Sequence, residues 1–372
     1  MKERIRKELK QLTGLTGVSG HEQDVIRHIK SRLEPITDEL IVDPWGNLIA
    51  VKHGKNPGPK LMVAAHADEI GFVVKNILKD GFILFDKSGT ASDKVMEGRK
   101  VLINGKIPGV IGIKPGHIQS SEESRRVKTS KECYIDIAAF SREEVEGLGI
   151  SIGDPISYES SFMEMANKDY ICTKSVDNRI NCTILIELFE EIKGMDFDGT
   201  FYGCFTVQEE TGMKGAFMVG NRIEPDYAIV TDTIPSGDTP DVDTDRELPI
   251  YLGKGPACVM ADGMGSAMMF TYAHPAVVRI IKEQATQLKI NLQFTTLLGQ
   301  SYATDSAGLA HSGKGIPTAT LAMPRRYSHS PIEMLNLNDA VCSLKILKGV
   351  IENNGKAKIS FFDDSIERVA YG

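Results

Sequence analysis

The sequence lacks the features that would place the protein in a membrane or in an oxidising compartment. None of its apolar runs approaches the ~20 residues that a membrane-spanning helix requires. Met1-Lys2-Glu3-Arg4 leads into an amphipathic helical pattern instead of a signal peptide. The six cysteines include no Cys-x-x-Cys pair, which favours reduced, mostly buried thiols over disulfides or a structural zinc site. The sequence therefore predicts a cytoplasmic protein without a membrane partner.

An excess of positive charge is also absent. The formal net charge is -7 at pH 7, which argues against a nucleic-acid partner because binding to phosphate backbones relies on lysine and arginine. The hydrophobic fraction of 41% is ordinary for a soluble globular protein with large buried cores. The length of 372 residues suggests about two domains.

Helical and strand-like patterns alternate over most of the chain, which predicts an α/β fold: a mixed sheet with helices on both faces. The predicted helices lie near residues 5–12, 25–33 and 180–192, at a segment that begins at Pro275, and at one capped near Asn338. The predicted strands lie at residues 40–42, 48–52, 60–65, 201–207, 227–231, 292–296 and 318–322.

The middle of the chain has a different character. Between residue 71 and about residue 159, short β-rich runs are separated by glycines, a pattern typical of a small barrel or sandwich. The simplest organisation is one α/β domain made of residues 1–69 and 166–372, interrupted by a β-rich insert of residues 70–165.

An acidic pair, Glu209-Glu210, closes the apolar run that begins near Phe201. Consecutive side chains of a strand point to opposite faces, so two acids that serve one site need a bend, which Gly212 and Gly215 can supply. One carboxylate could then hold a metal while its neighbour moves protons. For a lone pair of glutamates, an exposed acidic turn would be the better interpretation.

Other polar residues also follow apolar strands, and in an open α/β sheet the ligand site lies outside the carboxyl ends of the strands. These residues are His66, Asp68, Asp232 and His329, and Asp177 precedes a strongly apolar helix. Each also has a structural interpretation. His66 could be a core histidine, Asp177 a helix N-cap, Asp232 a turn residue and His329 a surface loop residue. The coincidence of all of them favours a site.

Two histidines with several carboxylates and no cysteine suit Zn²⁺, Co²⁺ or Mn²⁺. Five protein ligands would crowd one catalytic metal, whereas two metals that share a bridging carboxylate would use all five. Two metals about 3.5–4 Å apart can lower the pKa of a water and polarise a substrate carbonyl. A nearby carboxylate that is not a ligand would transfer the proton.

With these motifs assembled, the chain closely resembles the tetrahedral (TET) aminopeptidases, a family that includes glutamyl and deblocking aminopeptidases and members assigned as endoglucanases. Six motifs occur in the family's order: HADEIGF, VDNR, QEETGMKGA, IVTD, LGKGP and RYSHSPIE. The resemblance implies a zinc-peptidase-like α/β domain with an inserted β-barrel used in assembly. It also implies a dodecameric tetrahedral shell that admits short peptides.

The resemblance implies the following roles, position by position. Asp177 would bridge two metals, with His66 and Asp232 completing the ligands of one and Glu210 and His329 those of the other. Glu209 would be the general base and acid, and Asp68 would orient His66. The function implied is a metal-dependent aminopeptidase with two divalent ions per subunit, Zn or Co first and Mn as a further option.

Two departures from the family pattern bear on the pocket rather than on the ligands. Asn181 stands where a glycine is expected, and residues 238–249 form a longer and more acidic segment than usual. Two alternatives remain: a glycosidase, and a catalytically silent binding or assembly protein. A glycosidase that works with two carboxyl groups would have no role for His66 and His329.

Overall fold

The structure, a computed structural model, describes residues 1–264, 269–298 and 301–362. Its helices are α1 (Lys2–Thr13), α2 (Gln23–Leu33), α3 (Arg142–Gly147), α4 (Val176–Ile192), α5 (Lys214–Ile223), α6 (Pro275–Gln287), α7 (Asp305–Ala310) and α8 (Leu337–Glu352). The predicted periodicity is confirmed in α1, where Ile5, Leu9 and Leu12 lie on one buried face. In the described residues, no helix is long and apolar enough to cross a membrane.

The strands are β1 (Glu39–Val42), β2 (Leu48–His53), β3 (Asn56–His66), β4 (Gly71–Ile77), β5 (Ile83–Ser88), β6 (Lys100–Ile103), β7 (Ile107–Ile111), β8 (Ile135–Asp136), β9 (Pro155–Tyr158), β10 (Met163–Glu164), β11 (Tyr170–Thr173), β12 (Asp198–Thr206), β13 (Tyr227–Pro235), β14 (Ala257–Met264), β15 (Met269–Tyr272), β16 (Gln293–Leu297), β17 (Ser301–Tyr302), β18 (Thr318–Arg325) and β19 (Glu333–Asn336).

The main sheet is mixed, with strand order β1-β2-β12-β3-β13-β18-β14-β15 and with β16 and β17 paired to β14. Its four central strands, β12, β3, β13 and β18, run parallel to one another. Their carboxyl ends therefore meet at one edge of the sheet, which is where α/β proteins form ligand sites.

Helices cover both faces of this sheet. The large core on one face combines buried residues of α1, α2, α4, α6 and α8 with those of the strands. A smaller core on the other face includes residues of α5 and α7. The predicted α/β fold with helices on both faces is confirmed.

The insert is a closed barrel with strand order β4-β5-β8-β7-β6-β9. Its own core is separate from those of the main sheet and is built from residues such as Phe72, Phe85 and Ile156. Of the two interpretations that the sequence left open, barrel and sandwich, the barrel is correct. Residues 363–372 of the predicted α/β domain lie outside the described residues.

The structure revises two local interpretations of the sequence and confirms a third. β13 continues past Thr231 to Pro235, because β18 pairs with it from Ala228 to Pro235. Asp232 therefore lies inside the strand and not after it. Asp177 does not cap α4, since the N-cap is Ser175. The six cysteines are free, and all but Cys342 are buried, as predicted.

Candidate active site

The carboxyl ends of the central parallel strands bring the predicted residues together. His66 ends β3, Asp232 lies near the end of β13, and Glu209 follows β12. His66 Nε2 lies 3.7 Å from Asp232 Oδ1 and 3.9 Å from Glu209 Oε2. These three residues are spread over the sequence, and the parallel register of the strands gathers them.

Asp177 lies between the two histidines. Its Oδ1 is 3.2 Å from His66 Nε2, and its Oδ2 is 3.2 Å from His329 Nε2. Asp177 has non-helical φ and ψ angles of -78° and 107° within the first turn of α4. The N–H of Asp177 donates to Glu333 Oε2 at 3.0 Å, which holds the irregular turn in place.

His329 lies in the loop after β18, with a positive φ of 55°. Its Nε2 is 3.5 Å from Glu210 Oε1, and its Nδ1 is 2.7 Å from Thr90 Oγ1. Thr90 belongs to the barrel insert, between β5 and β6. The insert therefore supplies a residue to the wall of the site.

Asp68 holds the acidic pair in its bend. The backbone N–H groups of Glu209 and Glu210 donate to its two carboxylate oxygens at 3.0 and 3.1 Å, and the Ser19 hydroxyl donates at 2.5 Å. Asp68 Oδ1 also lies 3.3 Å from His66 Nδ1. One carboxylate thus fixes both the acidic pair and the imidazole that faces it.

The bend of the chain at the acidic pair involves more residues than the two predicted glycines. Gly212 has the expected positive φ, 119°, but Gln208 and Met213 also adopt positive φ values of 55° and 54°. A positive φ costs free energy in a residue other than glycine. The Glu22 carboxylate, which accepts the Gln208 N–H at 3.1 Å, helps to hold this conformation.

The side chains fit divalent metal ions. In the described residues, three groups have potential ligand atoms that all lie within 4.8 Å of one another: His66 with Asp177 and Asp232, Asp177 with Glu210 and His329, and His66 with Glu209 and Glu210. The first two are the ligand groups that the resemblance to TET aminopeptidases implied. Asp177 Oδ1 and Glu210 Oε1 are buried, and their contacts with the histidine nitrogens lack hydrogen-bond geometry. Buried carboxylate oxygens without donors are costly, and a cation would satisfy them.

The acidic pair and His329 can also bind protons. Burial raises the pKa of Glu210 to about 7 and that of Glu209 well above its usual range. Burial lowers the pKa of His329, but the charges of Glu210 and Asp177 outweigh this effect and raise that pKa to about 9. Divalent cations must displace these protons, so their affinity should fall as the pH falls.

A cavity of about 420 Å³ opens beside these groups. The residues that line it are His66, Gly89, Thr90, Asp177, Glu209, Glu210, Thr211, Gly212, Met213, Asp232, Thr233, Met269, Tyr302, Ala303, Arg325 and His329. Tyr302 lies on the cavity wall. Asp305 is buried and accepts a hydrogen bond from the Thr206 hydroxyl.

Sequence reasoning missed Thr90, Arg325 and Glu333. Arg325 and Glu333 contact Asp177 or His329 directly. Arg325 lies beyond the strand-like run of residues 318–322, where a charged residue usually has a surface role, and Thr90 lies in a loop. Neither position carried a sequence signal for the site.

Known proteins resemble this chain over most of its length. A model of the M42 glutamyl aminopeptidase family matches residues 46–346. FrvX of Escherichia coli (strain K12), a proposed aminopeptidase, is 34% identical over 358 residues, covering 95% of this chain and 97% of FrvX. Aminopeptidase APDkam598 of the archaeon Desulfurococcus kamchatkensis superposes with a TM-score of 0.87 at 31% identity, over 94% of this chain and 95% of that chain.

The TET1 peptidase of Pyrococcus horikoshii, described as able to assemble into a tetrahedron or a large octahedral shell, superposes with a TM-score of 0.81. It is 29% identical, over 93% of this chain and 99% of that chain. The resemblance to TET aminopeptidases is thereby confirmed. The chain belongs to the M42 glutamyl aminopeptidase family and is an aminopeptidase.

Proposed function

We propose that this aminopeptidase uses two divalent metal ions, Zn²⁺ or Co²⁺ first and Mn²⁺ as a further option. Asp177 would contribute to both sites, His66 and Asp232 to the first, and Glu210 and His329 to the second. The observation that supports this most is the position of Asp177, whose two oxygens each lie 3.2 Å from a different histidine. When bound, such ions lower the pKa of a water and polarise a carbonyl.

Glu209 is the proposed proton carrier. Its Oε2 reaches within 3.9 Å of His66 Nε2, and its side chain lines the cavity. From there Glu209 accepts a proton from the attacking water and returns it to the leaving amine of the peptide. Burial and the nearby Asp232 and Glu210 raise the pKa of Glu209, with His66 opposing them, so the carboxylate is a stronger base than an exposed one.

The test is a panel of aminoacyl chromogenic substrates and short peptides, assayed after removal of metal with a chelator and after addition of Zn²⁺, Co²⁺ or Mn²⁺ separately. We expect activity to disappear with the metal and to return with at least one ion. A β-glucan serves as the control for the glycosidase alternative. Full peptidase activity in protein shown by mass spectrometry to be free of metal would refute the proposal.

Asp68 is proposed to orient His66. Replacing it with asparagine keeps the shape of the side chain but turns one acceptor oxygen into an NH2 group, which only donates. The side chain can then accept a hydrogen bond from only one of the two backbone N–H groups of the acidic pair. We expect metal affinity and kcat/KM to fall about 10–100-fold. Asp38→Asn, at a surface carboxylate that pairs with Lys52, is the matched control. Unchanged metal affinity in Asp68→Asn would show that Asp68 has no orienting role.

Residues 70–165 are proposed to form an assembly domain, and the protein a dodecamer that admits short peptides. The ability of the P. horikoshii TET1 peptidase to assemble into a tetrahedron or a large octahedral shell supports this proposal. Large apolar side chains on the insert are also exposed, among them Phe140 at 81% and Ile152 at 66%. Light scattering after size-exclusion chromatography should give twelve times the mass of one chain, and a monomer or dimer would contradict the proposal.

A cytoplasmic location is proposed on the basis of the six free cysteines, since thiols stay reduced in the cytoplasm. Fractionation of cells that express the native protein would check it, and recovery outside the cytoplasm would contradict it.

A further inference from the structure

Arg325 is a buried cation against the proposed metal site. It ends β18, is 2% exposed, and donates from Nη2 to Asp177 Oδ2 at 2.6 Å. From Nη1 it donates to Glu333 Oε1 at 2.7 Å. Neither the proposed metal ligands nor the proposed proton transfer accounts for an arginine at this place.

The direction of the guanidinium is fixed by further contacts. Its Nε donates to Thr233 Oγ1 at 2.5 Å, and Nη1 also donates to Ser328 Oγ at 2.7 Å. Thr233 lies on the neighbouring strand β13, so the arginine is held from two strands and a loop. Because the guanidinium is planar, these contacts of Nε and Nη1 also fix the direction in which Nη2 donates to Asp177.

Glu333 links Arg325 to the backbone of two proposed metal ligands. Its Oε2 accepts the N–H of Asp177 at 3.0 Å, and its Oε1 accepts the N–H of His329 at 2.8 Å. Arg325 therefore holds the Asp177 side chain directly, and through Glu333 it holds the main chain of Asp177 and His329. Asp177 lies in the first turn of α4 and His329 lies in a loop, so Arg325 and Glu333 join two segments that are remote in the sequence.

We propose that the Arg325–Glu333 pair is a positioning device that preforms one of the two metal sites, the one made of Asp177, Glu210 and His329. This inference rests on the two-metal function proposed above. The other site has His66 and Asp232 on paired central strands, which the sheet already holds rigid. His329, by contrast, is in a loop and its side chain is 25% exposed. Its position needs support from outside the sheet.

Charge and position predict opposite effects of removing Arg325. Losing a positive charge beside Asp177 would by itself strengthen the attraction of a divalent cation, because like charges repel. Losing the hydrogen bonds would free Asp177 and Glu333 to turn, which weakens binding. The sign of the change in affinity therefore separates a positioning role from a purely electrostatic one.

The experiment compares Arg325→Met and Arg325→Lys with the wild type and with Arg326→Met. Arg326 is the adjacent arginine, which pairs with Asp238 and not with Asp177. Each metal-free protein is titrated with Co²⁺ and followed by its absorption spectrum, and bound metal per chain is counted by mass spectrometry. Circular dichroism of the metal-free proteins verifies folding.

We expect Arg325→Met to bind the ion of the preformed site about 10–100-fold more weakly than the wild type does. Binding of the other ion should weaken by a smaller factor, because Asp177 contributes to both sites. The affinity of Arg325→Lys for the ion of the preformed site should lie between those of the wild type and Arg325→Met, because an ammonium keeps the charge but loses the fork of two parallel donors. Arg326→Met should bind both ions normally. Should Arg325→Met not fold, Arg325→Lys carries the test alone.

Three outcomes would overturn the inference: unchanged affinity for both ions, equal weakening of both, or tighter binding in Arg325→Met. A wild type that binds a single ion would instead contradict the two-metal function. The two failures are therefore distinguishable.

Discussion

Replacement of Glu209 with glutamine is expected to lower kcat about 10²–10⁴-fold while both metal ions stay bound. Glutamine has nearly the same shape but cannot accept a proton. The backbone N–H of residue 209 would still donate to Asp68, because this bond does not involve the side chain that is changed. The loss should therefore fall on the chemical step and not on the architecture of the site.

The measurement is kcat and KM on the best aminoacyl substrate, together with metal content per chain. Glu283→Gln, at an exposed glutamate on α6, is the matched control and should behave as the wild type. If Glu209→Gln keeps its metal content and shows nearly normal peptidase activity, Glu209 is not the proton carrier.

Replacement of Asp177 with alanine is expected to have the largest effect on metal content, with loss of both ions and of activity. A bridging ligand belongs to both sites, so its removal weakens both. The same change leaves the buried Arg325 with Glu333 as its remaining carboxylate partner among the described residues. Breaking a buried ion pair is costly, and we expect the metal-free protein to lose about 3 kcal/mol of stability.

Asp177→Asn separates the two effects. The amide keeps the volume of the side chain and an oxygen that Arg325 can reach, so we expect metal loss with a smaller loss of stability. Mass spectrometry counts the ions, and chemical denaturation of the metal-free proteins gives the free energy of unfolding. Two ions per chain still bound by Asp177→Ala would exclude a bridging role.

Much of the site could be predicted because it follows a rule of sheet topology. Residues that follow apolar strands converge when those strands are parallel neighbours. His66 at the end of β3, the acidic pair after β12 and His329 after β18 obey the rule. Asp232 was found by the same reasoning, although β13 runs on to Pro235. The gathering of these residues is confirmed, and their individual roles stay predictions.

Other parts of the site depend on contacts that no local pattern encodes. Thr90 reaches His329 from the barrel, across 239 positions of sequence. Arg325 meets Asp177 across 148 positions, and Glu333 then ties the Asp177 backbone to the same place. A threonine in a loop and an arginine at a strand end have many ordinary surface roles, so their sequence context could not predict these contacts.

By itself, the sequence determined the α/β alternation, the β-rich insert, the free cysteines and the residues that converge at the strand ends. These properties depend on periodicity and composition, which are local and can be read along the chain. Tertiary structure alone decided that the insert closes as a barrel, that the acidic pair is bent around Asp68, and that Asp177 lies between two histidines with Arg325 behind it. These features arise from hydrogen bonds between residues far apart in the sequence, and only the folded chain brings such residues within bonding distance.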